Sequence, residues 1–477
     1  MSVGTKTAKH LRVSEGGTDK MGVFRERASF VIGFLACALL CCVIELHLNA
    51  PLPALLVYCA MLIALFVRYP HFLVKYWLVI FLVSSNILGV FVVETSTMSL
   101  PELGVKSSYV GSFSPLVLCH TIFLSVLFSV DGALQRDSSS GSSEEKVVFA
   151  LKVATVFAII PFVLAATHPF FANQGIDRFE YKTLGLAQAI ASRSIVLFIY
   201  LAPLAAMGVR HGHERLSLTF MLVCALTAFL TGNKFGFFMQ VAYVLTLGLY
   251  TLVCSRFDKG QVILVLLMLL GSLMLLVGLV MVHNHIAYGT GFESNVSYLR
   301  QRMAQQGQLW WRTYKLEHAV GAQDHLPELQ GEVAAWFNSE KDPASGTYGI
   351  YKIMLYDVKE PQLFYRKVAD GSQYAYSTQA SLYYYFGLVG VLVFSVVSAV
   401  VYCALVNTSI LTFDRSRILQ SVILVRLLNL SQGLLTQSVF DELFSYKVIA
   451  YIAMAVALTW FDEERLWTAL RSRVGTR

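Results

Sequence analysis

The sequence predicts an all-α membrane bundle of about 12 transmembrane helices carrying one large, partly helical external loop. Three observations predict it. Of 477 residues, 56% are hydrophobic and only 14% are charged, against roughly 25% charged in a soluble domain. Runs such as QVILVLLMLLGSLMLLVGLVMV (261–282) hold no ionisable group over more than the ~20 residues that cross a bilayer. The connections between such runs are short, except the one between 284 and 380. Soluble folds are excluded, because no soluble architecture hides this much apolar surface.

The apolar runs fall at 28–48, 51–67, 76–93, 113–130, 147–166, 194–209, 216–231, 235–254, 261–282, 381–406, 418–434 and 448–461. Residues 1–27 are polar and rich in Gly, Ser, Thr and Lys, the composition of a disordered tail. They do not read as a secretory signal, since the charged region is long and no A-x-A-like site follows the first run. The segment DGALQRDSSSGSSEEK (131–146) reads as a low-complexity linker without chemistry. Orientation follows from Lys and Arg. A cytoplasmic N-terminus places twenty basic residues on inner segments and six in the short outer loops. Both termini (1–27 and 462–477) are therefore expected inside and the long loop outside. The net charge of +7 is topogenic on this reading and calls for no nucleic-acid partner. All eight cysteines lie in or beside apolar runs and read as small buried hydrophobes. No internal repeat is visible, which disfavours an inverted-repeat transporter.

The chain thus divides into helices over 28–283, a loop subdomain over 284–380 and helices over 381–461. A loop this long is usually functional or disordered. Its three tryptophans, many tyrosines and balanced charge (nine basic, ten acidic residues) argue for a folded one. Helical spacing is visible in YLRQRMAQQGQLWWRTYKLEHA (298–319) and again over 327–340, where Leu329, Val333, Trp336 and Phe337 recur. The second half of the loop, YGIYKIMLYDVKEPQLFYRKVADGSQYAYSTQASLYYYFG (348–387), is aromatic and basic. Such a surface suits sugar rings and phosphates. For Tyr383, Tyr384 and Tyr385 the alternative is an interfacial aromatic belt.

Cations gather on the outer side. Lys234 stands in LTGNKFGFF, a turn of almost no length at a helix start, where ammonium and free N–H groups both favour an anion; snorkelling to the interface is the alternative. Arg178 with Lys182, Arg193, and the run Arg300, Arg302, Arg312 and Lys315 are the other outer cations. Arg426 falls mid-span with Asn429 and Gln432 on the next turn, and an intramembrane arginine reads as functional or as a pairing group within the bundle. No metal-ligand spacing appears, so no metal and no cofactor is expected. Glu45 and His47 read as the polar end of the first span, and His120 as a satisfied core group.

Two stretches carry a family resemblance. AFLTGNKFGFFMQVAYVL (228–245) looks like an "LTGSR" turn and its following helix, with Lys234 at the arginine position. ASLYYYFGLVGVLVF (380–394) looks like a loop exit ending in G-x-x-G, here Gly387 and Gly390. With the span count and the loop, the chain resembles the O-antigen and oligosaccharide repeat-unit polymerases, relatives of the O-antigen ligases. It departs from the many members that have a His-Asn pair before the first Gly, since Tyr376 and Ser377 stand there. The resemblance implies a polyprenyl-diphosphate-dependent glycosyltransferase of the bacterial inner membrane. It would join lipid-linked oligosaccharide repeat units on the periplasmic face, with a flippase and a chain-length regulator as pathway partners. Lys234, Arg302 and Arg178 would then surround the diphosphate as catalytic groups. Arg300, Arg312, Arg193 and Arg426 would bind substrate, and Trp310 or Trp311 would line a sugar site. An O-antigen ligase and a lipid-linked oligosaccharide flippase remain the alternatives.

Overall fold

The computed structural model describes residues 17–96, 99–100, 105–107, 111–133, 144–170, 181–232, 235–288, 292–320, 325, 327, 329–330, 378–437 and 446–460. They form helices and one short antiparallel pair. The elements are α1 (Gly17–Leu48), α2 (Leu52–Arg68), α3 (Pro70–Ser96), β1 (Ser99–Leu100), β2 (Val105–Lys106), α4 (Phe113–Ala133), α5 (Glu144–Thr167), α6 (Leu186–Arg210) and α7 (Glu214–Leu230). They continue with α8 (Phe235–Gly248), α9 (Tyr250–Arg256), α10 (Lys259–Tyr288), α11 (Phe292–Val320), α12 (Thr378–Asp414), α13 (Ile418–Gln437) and α14 (Tyr446–Trp460). Seven of these helices are long and apolar enough to cross a membrane, or eight if the bent pair α8–α9 is one span, and three shorter apolar stretches accompany them. This is a helical membrane protein. Its perimeter is apolar, with Leu39, Val156, Phe157, Val389 and Trp460 exposed.

The most enclosed helices are α3 and α4. Along α3 the buried side chains run all round the helix rather than down one stripe, the pattern of an element surrounded on every side. It is packed by α11, α4, α2, α8 and α10, while α4 also meets α1 and α12. The helices α5, α6 and α7 form a second group, joined to the first through α8 and α13.

Four details differ from the sequence reading. Helix α1 begins at Gly17, inside the segment that reads as a disordered tail. It is held there by Arg27, which donates to the Phe128 carbonyl at 3.3 Å, and by Glu26, which pairs with Arg68 at 2.7 Å. The run 235–254 is not one straight helix: the chain bends by 56° between α8 and α9. Gly248 allows the bend, because a Cβ there would press to 2.4 Å from the Ala206 Cβ. Arg210 takes up the Gly248 carbonyl at 3.4 Å. The run 381–406 belongs to a longer helix that breaks at Gly387, where φ is 63° and ψ is −165°. Finally, Cys37 and Cys59 are exposed on the perimeter instead of buried.

Candidate functional site

One end of the bundle gathers the end of α3, the start of α4, the helix α11 and the first turns of α12; we call it the loop end. Helix α11 is the element that does not fit a plain bundle. Its sequence is polar, yet every residue from Gly307 to Tyr314 is buried. The reason is backbone contact. A Cβ on Gly89 of α3 would lie 2.6 Å from the Gly307 nitrogen, and one on Gly307 would lie 2.1 Å from the Val90 nitrogen. Only two facing glycines permit this crossing. Gly89 is seven residues before the end of α3, so α11 sits about 10 Å below that end at 1.5 Å per residue.

Around the crossing lies an aromatic cluster. The Trp310 indole N–H donates to the Ser112 carbonyl at 2.8 Å. Its ring meets Tyr314 at 5.8 Å and Tyr383 at 5.5 Å, and Tyr314 stacks on Tyr383 at 5.0 Å and 26°. His325 stacks on Tyr384 at 3.9 Å, and Tyr384 meets Tyr385 edge-on. Tyr383, Tyr384 and Tyr385 are therefore core residues of this cluster rather than a headgroup belt. The break at Gly387 makes that possible. It separates the buried turns Thr378–Tyr385 from the apolar helix beyond, which buries one stripe (Val391, Ser395, Ala399) and exposes another (Val389, Val393, Val397).

Polar groups are sealed in with the rings. Gln308, Thr313, Thr378 and Gln379 are at most 1% exposed, and Arg312 is 8% exposed. Among the described residues, Thr378 Oγ1 and Gln379 Oε1 have no hydrogen-bond partner. Glu45 and Glu94 are buried beside the start of α4. Glu45 accepts the Ser114 backbone N–H at 2.6 Å. His120 is fully buried with both ring nitrogens unpartnered, so it is not the satisfied core group the sequence reading expects. Among the described residues, no three His, Cys, Asp or Glu side chains gather as a metal site.

Of the candidate residues, Trp310, Trp311 and Arg312 come together within α11. As placed, neither indole presents a free face to a sugar: both are at most 1% exposed, and the Lys315 ammonium lies 5.2 Å over the Trp311 ring. Arg300 and Arg302 stand on the exposed turns of the same helix. Arg302 is committed locally, donating to Tyr298 Oη and Gln305 Oε1 at 3.0 Å each. Arg193 is exposed on α6, seven residues before Tyr200 and so on the same face. Arg426 donates to Tyr200 Oη at 2.7 Å and lies over the Tyr200 and Tyr451 rings, away from α11. Next to it Gln240 donates to Asn429 at 2.7 Å. Lys234 and Arg178 lie outside the described residues, as does most of the loop helix read over 327–340.

The opposite end holds charges that the sequence reading passed over. Lys75 is 3% exposed and pairs with Asp131, a residue read as linker. Lys75 also donates to Asn407 at 2.6 Å, and Tyr76 donates to Asp131 at 2.7 Å. Arg210 pairs with Asp414, which also accepts from Thr251 at 2.9 Å. A hydrogen-bond chain leads inward from this end: Gln432 donates to Tyr402, Tyr402 to Tyr243, and Tyr243 to the Lys75 carbonyl.

Residues 343–452 match a family of unknown function (DUF6418). The match takes in α12, α13 and the start of α14, and with them Gly387, Asp414 and Arg426. No curated protein and no solved structure matches the chain.

Proposed function

We propose that the chain is a membrane glycosyltransferase that polymerises polyprenyl-diphosphate-linked oligosaccharide repeat units at the periplasmic face of the bacterial inner membrane. In this reading twelve spans carry both termini on the cytoplasmic side, and the loop end faces the periplasm. The observation that carries it is α11: a polar helix whose buried stretch, with Trp310, Trp311 and Arg312, is sunk about 10 Å into the end of an apolar bundle. Cations held in a water-poor place stabilise charge that develops on a leaving diphosphate far better than exposed ones do. Arg312 is such a cation. Lys234, Arg178, Arg193, Arg300, Arg302 and Arg426 keep their proposed part in binding the lipid diphosphate, with the outer arginines drawing the carrier in. The surface polysaccharide of a gene-deletion strain tests the reading on a gel. Loss of long chains with retained single capped repeats supports it, free polymer left on lipid carrier indicates a ligase, and repeats trapped inside indicate a flippase.

The break in α12 favours the flippase as the second reading, because interrupted helices mark transporter sites. The hydrogen-bond chain from Gln432 speaks against proton-coupled transport. It ends on a backbone carbonyl, which relays no proton.

A further inference from the structure

Two carboxylates meet at the first turn of α4. Glu94, near the end of α3, accepts the Ser112 N–H at 2.8 Å and the Ser112 hydroxyl at 2.6 Å, both on Oε1. Glu45, near the end of α1, accepts the Ser114 N–H at 2.6 Å on Oε2. These bonds cap the helix, whose free N–H groups favour negative charge.

Capping uses one oxygen of each carboxylate. Among the described residues Glu45 Oε1 and Glu94 Oε2 have no hydrogen-bond partner, and neither does Ser114 Oγ on the same turn; the Gly111 backbone also faces the Glu94 carboxyl. Yet these residues are only 1%, 7% and 1% exposed. Leaving a buried acceptor without a donor is costly, and more so when it is charged. The turn therefore lacks a group that donates to a carboxylate and accepts from a serine hydroxyl. A ligand hydroxyl does both. The Trp310 indole bonds the same residue, Ser112, on its carbonyl, so such a ligand lies beneath α11, within the site already described.

We propose that Glu94 is the base that activates the hydroxyl of the acceptor sugar, and that Glu45 is a positioning residue that fixes the first turn of α4. The proposal rests on the polymerase reading and adds the proton acceptor it lacks. The acceptor O–H proton passes to Glu94 Oε2. The freed oxygen pair forms the bond to the anomeric carbon of the donor. The bond from that carbon to the diphosphate breaks, and its electron pair leaves with the diphosphate. Glu94 is favoured over Glu45 for two reasons. It is the less deeply buried of the two, and two bonds from Ser112 hold its first oxygen so that the second is fixed in direction.

The test uses purified full-length protein in nanodiscs with synthetic polyprenyl-diphosphate-linked repeat units, read as polymer per folded protein. In Glu94→Gln the amide oxygen still accepts from Ser112, so the cap survives while the base is lost. The rate should fall about 10²–10⁴-fold, with binding of the lipid-linked donor unchanged. Ser112→Ala removes one of the two bonds that aim the carboxylate and leaves the base itself, so it should lose clearly less of the rate than Glu94→Gln does. A wild-type rate in Glu94→Gln, or an equal loss in Ser112→Ala, overturns the proposal. Should Glu94→Gln fail to fold, Glu94→Asp replaces it: a folded, slow Glu94→Asp beside an active Ser112→Ala supports the base, and a fully active one overturns it. If wild-type protein makes no polymer from these substrates, the polymerase reading itself fails. A working wild type with an equally active Glu94→Gln defeats only the assignment of Glu94.

Discussion

The two ends of this bundle treat buried charge in opposite ways. At the end holding Lys75, each buried carboxylate faces a cation: Asp131 meets Lys75, and Asp414 meets Arg210. Among the described residues, Glu45 and Glu94 at the loop end meet only backbone N–H groups and a serine hydroxyl. One oxygen of each has no hydrogen-bond partner, as has Asp414 Oδ2, but Asp414 is ion-paired through its other oxygen and these two are not. A paired and hydrogen-bonded charge in an apolar interior holds helices in register. A half-satisfied one is a standing cost, and such costs persist where a ligand completes the site. On the proposed function, the contrast separates an end that holds the helices in register from the end that would carry the chemistry.

Breaking a pair gives the largest effect. Asp131→Ala leaves the Lys75 ammonium buried without a counter-charge, facing Asn407 and the Tyr76 and Tyr250 rings, and removal of one partner of a buried pair costs about 3–5 kcal/mol. The thermal midpoint of purified protein in detergent should fall strongly. The double variant Lys75→Met with Asp131→Leu should recover most of the loss, because it leaves no orphan charge. Glu94→Gln at the other end should barely move the midpoint, since its capping bonds survive. Equal destabilisation at both ends would erase the contrast.

Composition and hydropathy made the architecture legible. Apolar runs announce helices, and among the described residues each run falls mainly on a helix or on the bent pair α8–α9, seven or eight of which are long and apolar enough to cross a membrane. What stayed hidden depends on neighbours distant in sequence. Lys75 counts as a flanking topogenic charge until α4 and α12 bring Asp131 and Asn407 against it. Glu94, two residues before the end of its helix, carries no signal of its own in the sequence until the chain returns at Ser112. Trp310 and Trp311 read as a stacking platform because tryptophans in a polar helix usually lie on its surface. The Gly89–Gly307 contact, which no periodicity signals, draws them inward.

Gly387 sharpens the same comparison with a smaller effect. Its φ of 63° and ψ of −165° lie in a region essentially closed to residues with a Cβ. The space around it is open, so the penalty for Gly387→Ala is backbone strain alone, about 1–3 kcal/mol. Relief comes from straightening the helix, which pulls Tyr383 off Trp310 and Tyr314. A cysteine-free background with a single thiol at Tyr383 reads this directly. Labelling by a water-soluble maleimide should rise in the Gly387→Ala variant, and unchanged labelling would show that the break does not hold the loop end closed.

The smallest effect belongs to His211, in the turn between α6 and α7 at the paired end. Its Nε2 lies 3.2 Å from Ser416 Oγ, linking this turn to the one between α12 and α13. Burial holds the imidazole below its ordinary value of 6.5; Glu144 pulls the other way, and the nearby Arg210 adds to the lowering. As pH falls, the unfolded chain therefore takes up its proton first. Linkage then fixes the sign: the contribution of His211 to stability is complete above about pH 6.5 and is lost progressively below it. His211→Gln keeps a group able to bond Ser416 but cannot titrate. Thermal midpoints measured from pH 7.5 down to 5.5 should fall less steeply for His211→Gln than for wild type, and the two should agree at the upper end. A parallel fall in both would place the acid sensitivity elsewhere, with the exposed His213–Glu144 pair the next group to vary.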